Sequence, residues 1–521
     1  MEKFQTDVLI IGGGLAGLSA AIAGSDVKDT KVAIVSKGKI GSSGNTIVST
    51  GCLAGYIKDR IEGDSEDIFA QDILEAGDHI NNREMVTTFV EKSGEMLLRL
   101  QKYGVNFLQD KDKLEAHSSP GHSFPRVFQA ISNKYPYSLQ GMAITQPLRK
   151  MAKEKGVKFL EGISIYKLIK EKDQITGALG LTKDGQQIVI YAKAIILTTG
   201  GCGQIFANNN NTNDITGDSY GLAQSVGANL KDMEFMQFYP TMMVKPFKLA
   251  VTTTLFSLGA TLLNKERKTF ITKYDPKNGH MTTRDRMSRA IFTEIKEGRG
   301  IDGGVNLDCS KIPEEKFKEN YPTLYNLLCK ANINPAKDKI IVTPVAHFFM
   351  GGIETNKSGK TNVPGLWAAG EAAGGLHGAN RLSSNALTEA VVFGTLAGED
   401  AAQYCQENKY LNSFVFNSGK IIMNPKGDLN LKEIRQNLKE VLWTDVAIVR
   451  SEEGLKRAQK KVGEIINNLE YIHTSSSREV ISFHELKNSL LTAKSIIRAA
   501  LLRKESRGAH YRIDYPSKNQ L

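Results

Sequence analysis

Cysteine is scarce in this chain and never occurs in closely spaced pairs. The 521 residues include five cysteines, at positions 52, 202, 309, 329 and 405. Without a Cys-x-x-Cys pair, the chain itself supplies no iron–sulfur cluster, zinc site or c-type haem. Isolated cysteines are typical of a reducing compartment. We therefore expect a cytoplasmic protein, with any position at the periphery of a membrane owed to a partner.

Long apolar runs and dense basic tracts are missing as well. No stretch is long enough to cross a bilayer, and residues 1–4 lead directly into a strand, so we expect neither direct membrane insertion nor a signal peptide. Lys and Arg number 67 against 56 Asp and Glu, but they are spread along the chain, which argues against nucleic acid as a partner. The length predicts two or three domains.

The first forty residues have the order strand, glycine turn, helix, strand. Residues 6–11 are short, apolar and β-branched, as in a buried parallel strand. Gly12 allows a tight turn, Gly14 lets the backbone approach a pyrophosphate, and Gly17 lets the helix at 15–23 pack on the strand. The helix N-terminus would face the phosphates. This order, rather than the glycines alone, predicts a dinucleotide site.

Later segments favour FAD over NAD. The second strand, residues 31–35, ends in Ser36 and Lys37, where many dinucleotide sites have an acid that holds a ribose. Two more apolar strands run into glycine turns, at residues 194–201 and 366–371. The second of them ends in an acid, Glu371. Both would return the chain to the same cofactor, so the nucleotide-binding domain is expected to be split.

Seven segments, in order along the chain, resemble a known family: residues 41–46, 216–219, 232–235, 283–285, 346–353, 377–385 and 505–512. They look like segments of the flavoprotein subunits of fumarate reductase and succinate dehydrogenase, and of L-aspartate oxidase. The resemblance implies an α/β fold in three parts: a Rossmann-like FAD-binding domain (1–234 and 346–410), an inserted α+β capping domain (235–345) and a C-terminal helical domain (411–521).

Apolar periodicity predicts helices at residues 431–468 and 482–504, separated by the polar stretch 474–479. We expect a structural role for His510, in a segment that folds back on the FAD-binding domain. The four consecutive asparagines at 208–211 are expected to form a loop near the cofactor.

The resemblance also implies a set of FAD-binding residues: Gly12, Gly14, Leu15, Ala16, Gly17, Ser36, Lys37, Ser43, Asn45, Thr46, Gly51, Gly201, Asp218, Glu371, Ala386 and Leu387. In the respiratory members of the family, a histidine bonded covalently to FAD precedes a Thr-Val pair. Here Asn45 precedes Thr46 and Ile47. Asparagine cannot form that bond, so we expect non-covalent FAD, which argues against a succinate dehydrogenase working in the oxidative direction.

The resemblance implies five residues that act on a small carboxylate substrate: Arg284, His347, Arg381, Tyr239 and Thr252. Arg284 matches the residue that moves the proton, and the others match or replace residues that bind the carboxylate. Arginine suits a carboxylate because its planar fork makes two parallel hydrogen bonds. Tyr239 stands where the family commonly has His, and it can donate a hydrogen bond. The alternatives are a salt bridge of Arg284 with Asp285 and a core position for His347.

Three further positions depart from the family pattern. Thr253 and Phe256 stand where fumarate reductases have the Glu and Arg that return a proton to the catalytic Arg, and Phe349 replaces a Thr. Either another group replaces this relay or the reaction differs. The two phenylalanines also predict a less polar pocket, suited to a bulkier acid with one carboxylate.

The leading hypothesis is an FAD-dependent, fumarate-reductase-like enzyme that reduces the C=C bond of an α,β-unsaturated carboxylate, with hydride from flavin N5. Its electrons would come from an iron–sulfur protein or a diffusible donor. The alternatives are an amino-acid dehydrogenase like L-aspartate oxidase, a succinate dehydrogenase-type subunit of an electron-transfer complex, and an electron-transfer or assembly subunit whose substrate chemistry has decayed.

Overall fold

The chain combines parallel and antiparallel sheets with helices in a mixed α/β fold. A computed structural model describes residues 2–111, 113–243, 245–408 and 423–519. The strands are β1 (Glu2–Gln5), β2 (Val8–Ile11), β3 (Val32–Ser36), β4 (Cys52–Ala54), β5 (Gln109–Asp110), β6 (Lys113–Leu114), β7 (Val127–Gln129), β8 (Lys158–Glu161), β9 (Ile163–Glu171), β10 (Gln174–Thr182), β11 (Gln187–Tyr191), β12 (Ala194–Leu197), β13 (Leu230–Lys231), β14 (Met236–Met243), β15 (Leu249–Ala250), β16 (Thr261–Leu263), β17 (Val305–Asp308), β18 (Ile340–Phe349), β19 (Gly352–Glu354), β20 (Leu366–Ala368) and β21 (Ala373–Gly374). The α-helices are α1 (Leu15–Asp26), α2 (Glu66–Ala76), α3 (Arg83–Lys102), α4 (Met142–Glu154), α5 (Asp218–Ser225), α6 (Ile271–Tyr274), α7 (Arg284–Lys296), α8 (Glu314–Asn320), α9 (Pro322–Lys330), α10 (Asn385–Glu407), α11 (Leu431–Asp445), α12 (Glu452–Asn467) and α13 (Ser477–Leu502).

A parallel sheet lies at the centre of the nucleotide-binding part, in the strand order β20-β12-β2-β3-β8. Its strands are apolar on both faces, and β2 and β12 are buried along their whole length, because helices or other strands cover each side. The three segments that the sequence predicts to return to one cofactor are neighbours here: β12 pairs with both β2 and β20. A second sheet, β1-β11-β10-β9, extends this part of the molecule.

Glycines allow helices α1 and α10 to approach each other closely. Helix α1 is buried from its first residue to Gly24. A Cβ on Gly398 of α10 would collide with the carbonyl of Ala20, and one on Gly394 would lie 2.5 Å from the carbonyl oxygen of Ala16. Backbone therefore packs against backbone along the helix that begins at the cofactor motif.

The segment between β13 and β19 builds an antiparallel sheet in the order β15-β14-β18-β17-β16, with helix α7 against β14 and β18. It has an apolar core of its own, which includes Val251, Leu262, Ile291, Leu307 and Val342. This sheet supports a capping domain as a separate unit, which we propose. Strand β18 runs across the predicted boundary at 345/346, so the two parts share a strand.

The C-terminal helices differ from the predicted ones. The single helix predicted at 431–468 is two helices, α11 and α12, because Ser451 caps the second by accepting a hydrogen bond from the N–H of Gly454. Helix α13 begins at Ser477, earlier than predicted, because Ser476 and Glu479 form a capping box. The polar stretch at 474–479 is therefore a helix start. The predicted domain boundary at 410/411 lies outside the described residues.

Helix α13 connects the C-terminal part to the nucleotide-binding part. Its Ser489 donates a hydrogen bond to the carbonyl of Thr216 at 2.9 Å, just before helix α5. Buried His510 contacts Arg450, and its Nε2 lies 3.3 Å from the carbonyl oxygen of Arg503, which agrees with a structural role. Across the four described ranges, none of the helices combines the length and the apolar character needed to span a bilayer.

The close approach of α1 and α10 gives a prediction about stability. Gly398→Ala is expected to lower the free energy of unfolding by about 1–3 kcal/mol, because the new methyl group has no room beside Ala20. The matched control is Gly463→Ala in helix α12, where a Cβ meets nothing within 4 Å. That change is expected to stabilise by roughly 0.5–1 kcal/mol through the lost freedom of glycine. Denaturant unfolding of both variants measures the difference, and equal effects would contradict this packing.

Candidate active site

A cavity of about 590 Å³ lies where the parallel strands end and the antiparallel sheet begins. Its wall on the parallel side is formed at the carboxyl ends of four strands, by Ile11, Val35, Thr198 and Ala369. Ligands of open parallel sheets bind at this edge. The opposite wall comes from the antiparallel sheet and from helix α7.

The glycine turn after β2 forms a cradle at one end of the cavity. Gly12 has φ +120° and passes directly over Thr198, where a Cβ would collide with the carbonyl. Gly14 is the N-cap of α1 and lines the cavity, so the free N–H groups of the helix face the open space. Gly17 faces inward, and a Cβ there would collide with the carbonyl of Gly12. The cradle fits a pyrophosphate.

Most of the predicted FAD-binding residues line this cavity. They are Gly12, Gly14, Leu15, Ala16, Ser36, Lys37, Ser43, Asn45, Thr46, Asp218, Glu371, Ala386 and Leu387. Three others do not. Gly17 serves helix packing, Gly201 makes room for the carboxylate of Glu371, and Gly51 (φ +75°) approaches the carbonyl of Ala130.

Lys37 is held among acids from distant parts of the chain. Its Nζ lies 2.7 Å from Asp218 on α5 and 2.8 Å from Glu485 on α13. Burial favours the neutral amine, but these two carboxylates outweigh it and raise the pKa of Lys37 above its usual range. The acid that the sequence lacks after the second strand is thus supplied in space by Asp218.

Glu371 is the second acid at the nucleotide side. Its Oε1 accepts the backbone N–H of Phe349 at 3.0 Å. Burial, opposed in part by this hydrogen bond, raises the pKa of the carboxyl to about 7.

Asn45 has both ends of its amide in use. Its Nδ2 donates to Oδ1 of Asn211 at 2.6 Å, and its Oδ1 accepts the N–H of Thr212 at 3.0 Å. The asparagine run at 208–211 is therefore a loop against the cavity, as predicted.

The five predicted substrate residues share the other end of the cavity, which we call the cationic end: Tyr239, Thr252, Arg284, His347 and Arg381, together with Thr254. Arg284 is the first residue of α7, as predicted for the helix start. It does not pair with Asp285, which binds Arg289 at 3.0 Å. Instead, its guanidinium lies 5.3 Å from the centroid of the Tyr239 ring.

Arg381 is 8% exposed and held by neutral groups. Its Nη2 donates to Gln237 Oε1 at 2.8 Å, and its guanidinium lies 4.6 Å from the centre of the Phe348 ring. Its buried Nε has no hydrogen-bond partner among the described residues. Burial, and then the charge of Arg284, lower the pKa of Arg381 to about 10, so it remains charged at neutral pH. A bound carboxylate would satisfy the free N–H.

His347 is half-buried at the cavity wall rather than in the core. Burial, and then the charges of Arg381 and Arg284, lower its pKa well below its usual value, so the imidazole is neutral. The amide of Asn210 lies against Nδ1, at 3.1 Å for Nδ2 and 3.2 Å for Oδ1. When Nδ2 donates to Nδ1, the proton of the ring sits on Nε2 and can be donated to a ligand.

Tyr239 has a different role from the one predicted. Its hydroxyl donates to the carbonyl of Val251 at 3.0 Å, so that proton is already in use. Its ring lies beside both Arg284 and the His347 imidazole, 5.6 Å from the latter. The contacts favour positioning of these two groups over donation to a carboxylate.

The prediction that Phe256 and Phe349 add apolar bulk to the pocket is wrong. Phe256 stacks on His280 in the core of the antiparallel sheet, and Phe349 packs against Tyr220. A bulge explains the second case. Phe348 pairs with Gln237 and Ala346 with Phe238, which leaves His347 unpaired and shifts the alternation of the strand. Phe348, rather than Phe349, therefore faces the cavity.

Comparison with known proteins agrees with this geometry. Residues 7–387 match a family model described as an FAD binding domain, and residues 435–520 match one described as the C-terminal part of the fumarate reductase flavoprotein. The chain belongs to the family of FAD-dependent fumarate reductase and succinate dehydrogenase flavoprotein subunits. Its predicted α/β fold and its assignment as an FAD-dependent oxidoreductase are thereby confirmed.

Similar flavoproteins come from archaea and bacteria. An uncharacterized FAD-dependent oxidoreductase of Methanocaldococcus jannaschii is 38% identical, over 98% of this chain and 94% of its own length. One chain of a fumarate reductase (CoM/CoB) of Methanothermobacter marburgensis is 35% identical, over 99% and 95%. An L-aspartate oxidase of Pseudomonas aeruginosa is 32% identical, over 99% and 96%.

Among solved structures, the FrdA chain of an E. coli quinol fumarate reductase mutant superposes with a TM-score of 0.89. The two chains are 28% identical, over 100% of this chain and 93% of that one. The flavoprotein fold is thus shared along the whole chain.

The cradle of this flavoprotein gives a prediction about FAD binding. Gly14 has an extended backbone that alanine can adopt, and the nearest atom to a Cβ there is Thr46 Oγ1 at 3.7 Å. Gly14→Ala should leave the thermal midpoint of the apoprotein unchanged, but place a methyl group in the cradle. We expect the dissociation constant for FAD to rise about tenfold or more, which corresponds to ~1.4 kcal/mol.

Fluorescence titration of the apoprotein with FAD measures this change. Gly12→Ala is the comparison, because its strain and collision should also destabilise the apoprotein. Unchanged FAD affinity in Gly14→Ala would contradict the position given to the pyrophosphate.

Proposed function

We propose that this flavoprotein reduces the C=C bond of a small α,β-unsaturated carboxylate. One observation carries the proposal: Arg284 and Arg381 face one cavity, and neither forms a salt bridge with a carboxylate of the described residues. Two desolvated guanidinium groups without a counter-ion attract an anion. A substrate carboxylate supplies the missing charge.

FAD, when bound, supplies the hydride from its N5. The cradle at Gly12 and Gly14 would hold its pyrophosphate, and the other residues that line the cavity would hold the rest. We propose that the cofactor is not covalently attached. Asn45 lacks the nucleophilic nitrogen of histidine, and its amide is already bonded to Asn211 and Thr212. Acid precipitation should therefore leave all of the flavin in the supernatant.

The residues at the cationic end divide the remaining work. Arg381 binds the carboxylate through its free Nε–H and draws electron density away from the double bond. His347, neutral and oriented by Asn210, donates from Nε2 to the same carboxylate. Thr252 adds a hydroxyl. Arg284 gives a proton to the carbon next to the one that receives the hydride, so one hydride and one proton are added.

Electrons must reach the flavin from outside the chain. The sequence has no paired cysteines that could hold a cluster. Related proteins carry different donors in their names: one is a fumarate reductase (CoM/CoB) and another, from Wolinella succinogenes, an 8-methylmenaquinol:fumarate reductase. We propose an iron–sulfur protein or another electron-transfer partner, and the choice of partner would decide whether the chain lies beside a membrane.

The alternative of amino-acid oxidation is motivated by the relatives named L-aspartate oxidase. An amino acid brings an ammonium group as well as its carboxylates. The cationic end offers Arg284 and Arg381 but no acid, since the acids of the cavity are Asp214, Asp218 and Glu371. This charge balance favours an unsaturated acid without an amino group. Retention of both arginines likewise argues against a decayed site.

The substrate panel should include compact dicarboxylates. The preference for a bulkier, more apolar acid rested on Phe256 and Phe349, and neither lines the cavity. Fumarate is therefore a candidate on equal terms with larger acids.

Replacement of the proton donor tests the proposal. Arg284→Lys is expected to lower kcat by ~10²-fold or more with reduced viologen as donor, because the lysine ammonium cannot take the same position over the alkene. FAD content should stay at the wild-type level. The control is Arg286→Lys, two residues along the same helix, whose exposed guanidinium binds Asp275 at 3.1 Å.

That control should keep wild-type turnover. Full activity in Arg284→Lys would contradict the role of the arginine. Ammonia release from L-aspartate, with no reduction of any unsaturated acid, would replace the proposal by amino-acid oxidation.

A further inference from the structure

Arg284 needs a source of protons if it protonates substrate in every turnover. A guanidinium has a pKa of about 12 or higher, so the neutral form must be reprotonated by a group that already touches it or the cavity. No carboxylate of the described residues bonds to Arg284, and Thr253 and Phe256 both lie away from the cavity lining. The supply must run through other groups.

Three hydroxyl groups form a continuous hydrogen-bonded chain that reaches this cavity. The hydroxyl of Tyr321 donates to Thr254 Oγ1 at 2.5 Å, and Thr254 Oγ1 lies 2.8 Å from Thr252 Oγ1. Thr252 and Thr254 both line the cavity, at the same end as Arg284. Tyr321 lies at the junction of helices α8 and α9, is half-buried, and is therefore open in part to solvent.

The hydrogen bonds give this chain a direction. Because Thr254 Oγ1 accepts the proton of Tyr321, its own proton is free to point to Thr252. Thr252 Oγ1 also accepts the backbone N–H of Thr254 at 3.3 Å. Both acceptor positions of Thr252 are then filled, and among the described residues its own proton has no acceptor. That proton points to the open cavity.

We propose that Tyr321, Thr254 and Thr252 conduct protons from solvent to Arg284. The proposal rests on the proposed function. After Arg284 has given its proton to the substrate carbon, Thr252 gives one to the guanidine, Thr254 gives one to Thr252, Tyr321 gives one to Thr254, and water restores Tyr321. No electrons move along the chain, and each hydroxyl gains one proton for the one it gives.

Variants of the outer members test the proposal in the FAD-loaded protein with reduced viologen as donor. Tyr321→Phe removes the first hydroxyl and Thr254→Val the second. Each is expected to lower kcat about tenfold or more, with KM and FAD content close to wild type. The solvent deuterium isotope effect on kcat should rise, because proton supply becomes rate-limiting. Thr254→Ser, which restores a hydroxyl, should recover most of the activity.

The matched control is Tyr325→Phe, one helical turn further on. The rings of Tyr321 and Tyr325 both pack on Phe317, with centroids 6.1 and 5.9 Å away. The hydroxyl of Tyr325, however, bonds to Glu314 and lies outside the chain of hydroxyls. Tyr325→Phe should therefore keep wild-type kcat and isotope effect.

The outcomes separate this proposal from the function beneath it. If the wild-type protein reduces an unsaturated acid and Tyr321→Phe matches its kcat and isotope effect, the hydroxyl chain is overturned while the function stands. Equal losses in Tyr321→Phe and Tyr325→Phe would overturn it too, as an effect of helix packing. If the wild-type protein reduces no acid in the panel, the proposed function fails and this proposal with it.

Discussion

The account depends on two arginine side chains that share a cavity without a carboxylate partner. Buried charge is costly unless it is paired. Arg381 meets this cost with neutral partners only, the amide of Gln237 and the face of Phe348, and its Nε–H stays free. The charge of Arg284 next to it, and the neutral His347, keep the net potential positive. The site is thus built for an anion, and the remaining elements hold it beside the nucleotide cradle.

The fold brings these groups to the cofactor through a small number of tight contacts. The parallel sheet ends at the cradle of Gly12 and Gly14, and the close packing of α1 on α10 fixes the helix that starts there. The antiparallel sheet delivers the cations from the other side. Helix α13 bonds to the segment before α5, so that the C-terminal part also supports the nucleotide wall. Three parts of the chain therefore meet at a single cavity.

Sequence reasoning predicted the features whose spacing has a direct steric meaning. The glycines at 12, 14 and 17 and the helix that opens at Arg284 are examples, since each follows from local geometry. It failed where a contact depends on register or on distant chain. The bulge at His347 turned Phe348 into the cavity, which strand alternation could not predict. The bond from Tyr321 to Thr254 joins residues 67 positions apart, and no local pattern marks it.

Reoxidation of the reduced flavin tests the central claim most directly. FAD-loaded protein would be reduced anaerobically and mixed with fumarate or a larger unsaturated carboxylate, while the visible absorbance of the flavin is followed. The account predicts fast return of the oxidised spectrum with at least one such acid, with one equivalent of the saturated product, and no such return with the Arg284→Lys variant. A flavin that stays reduced with every acid, in protein that binds FAD fully, would contradict it.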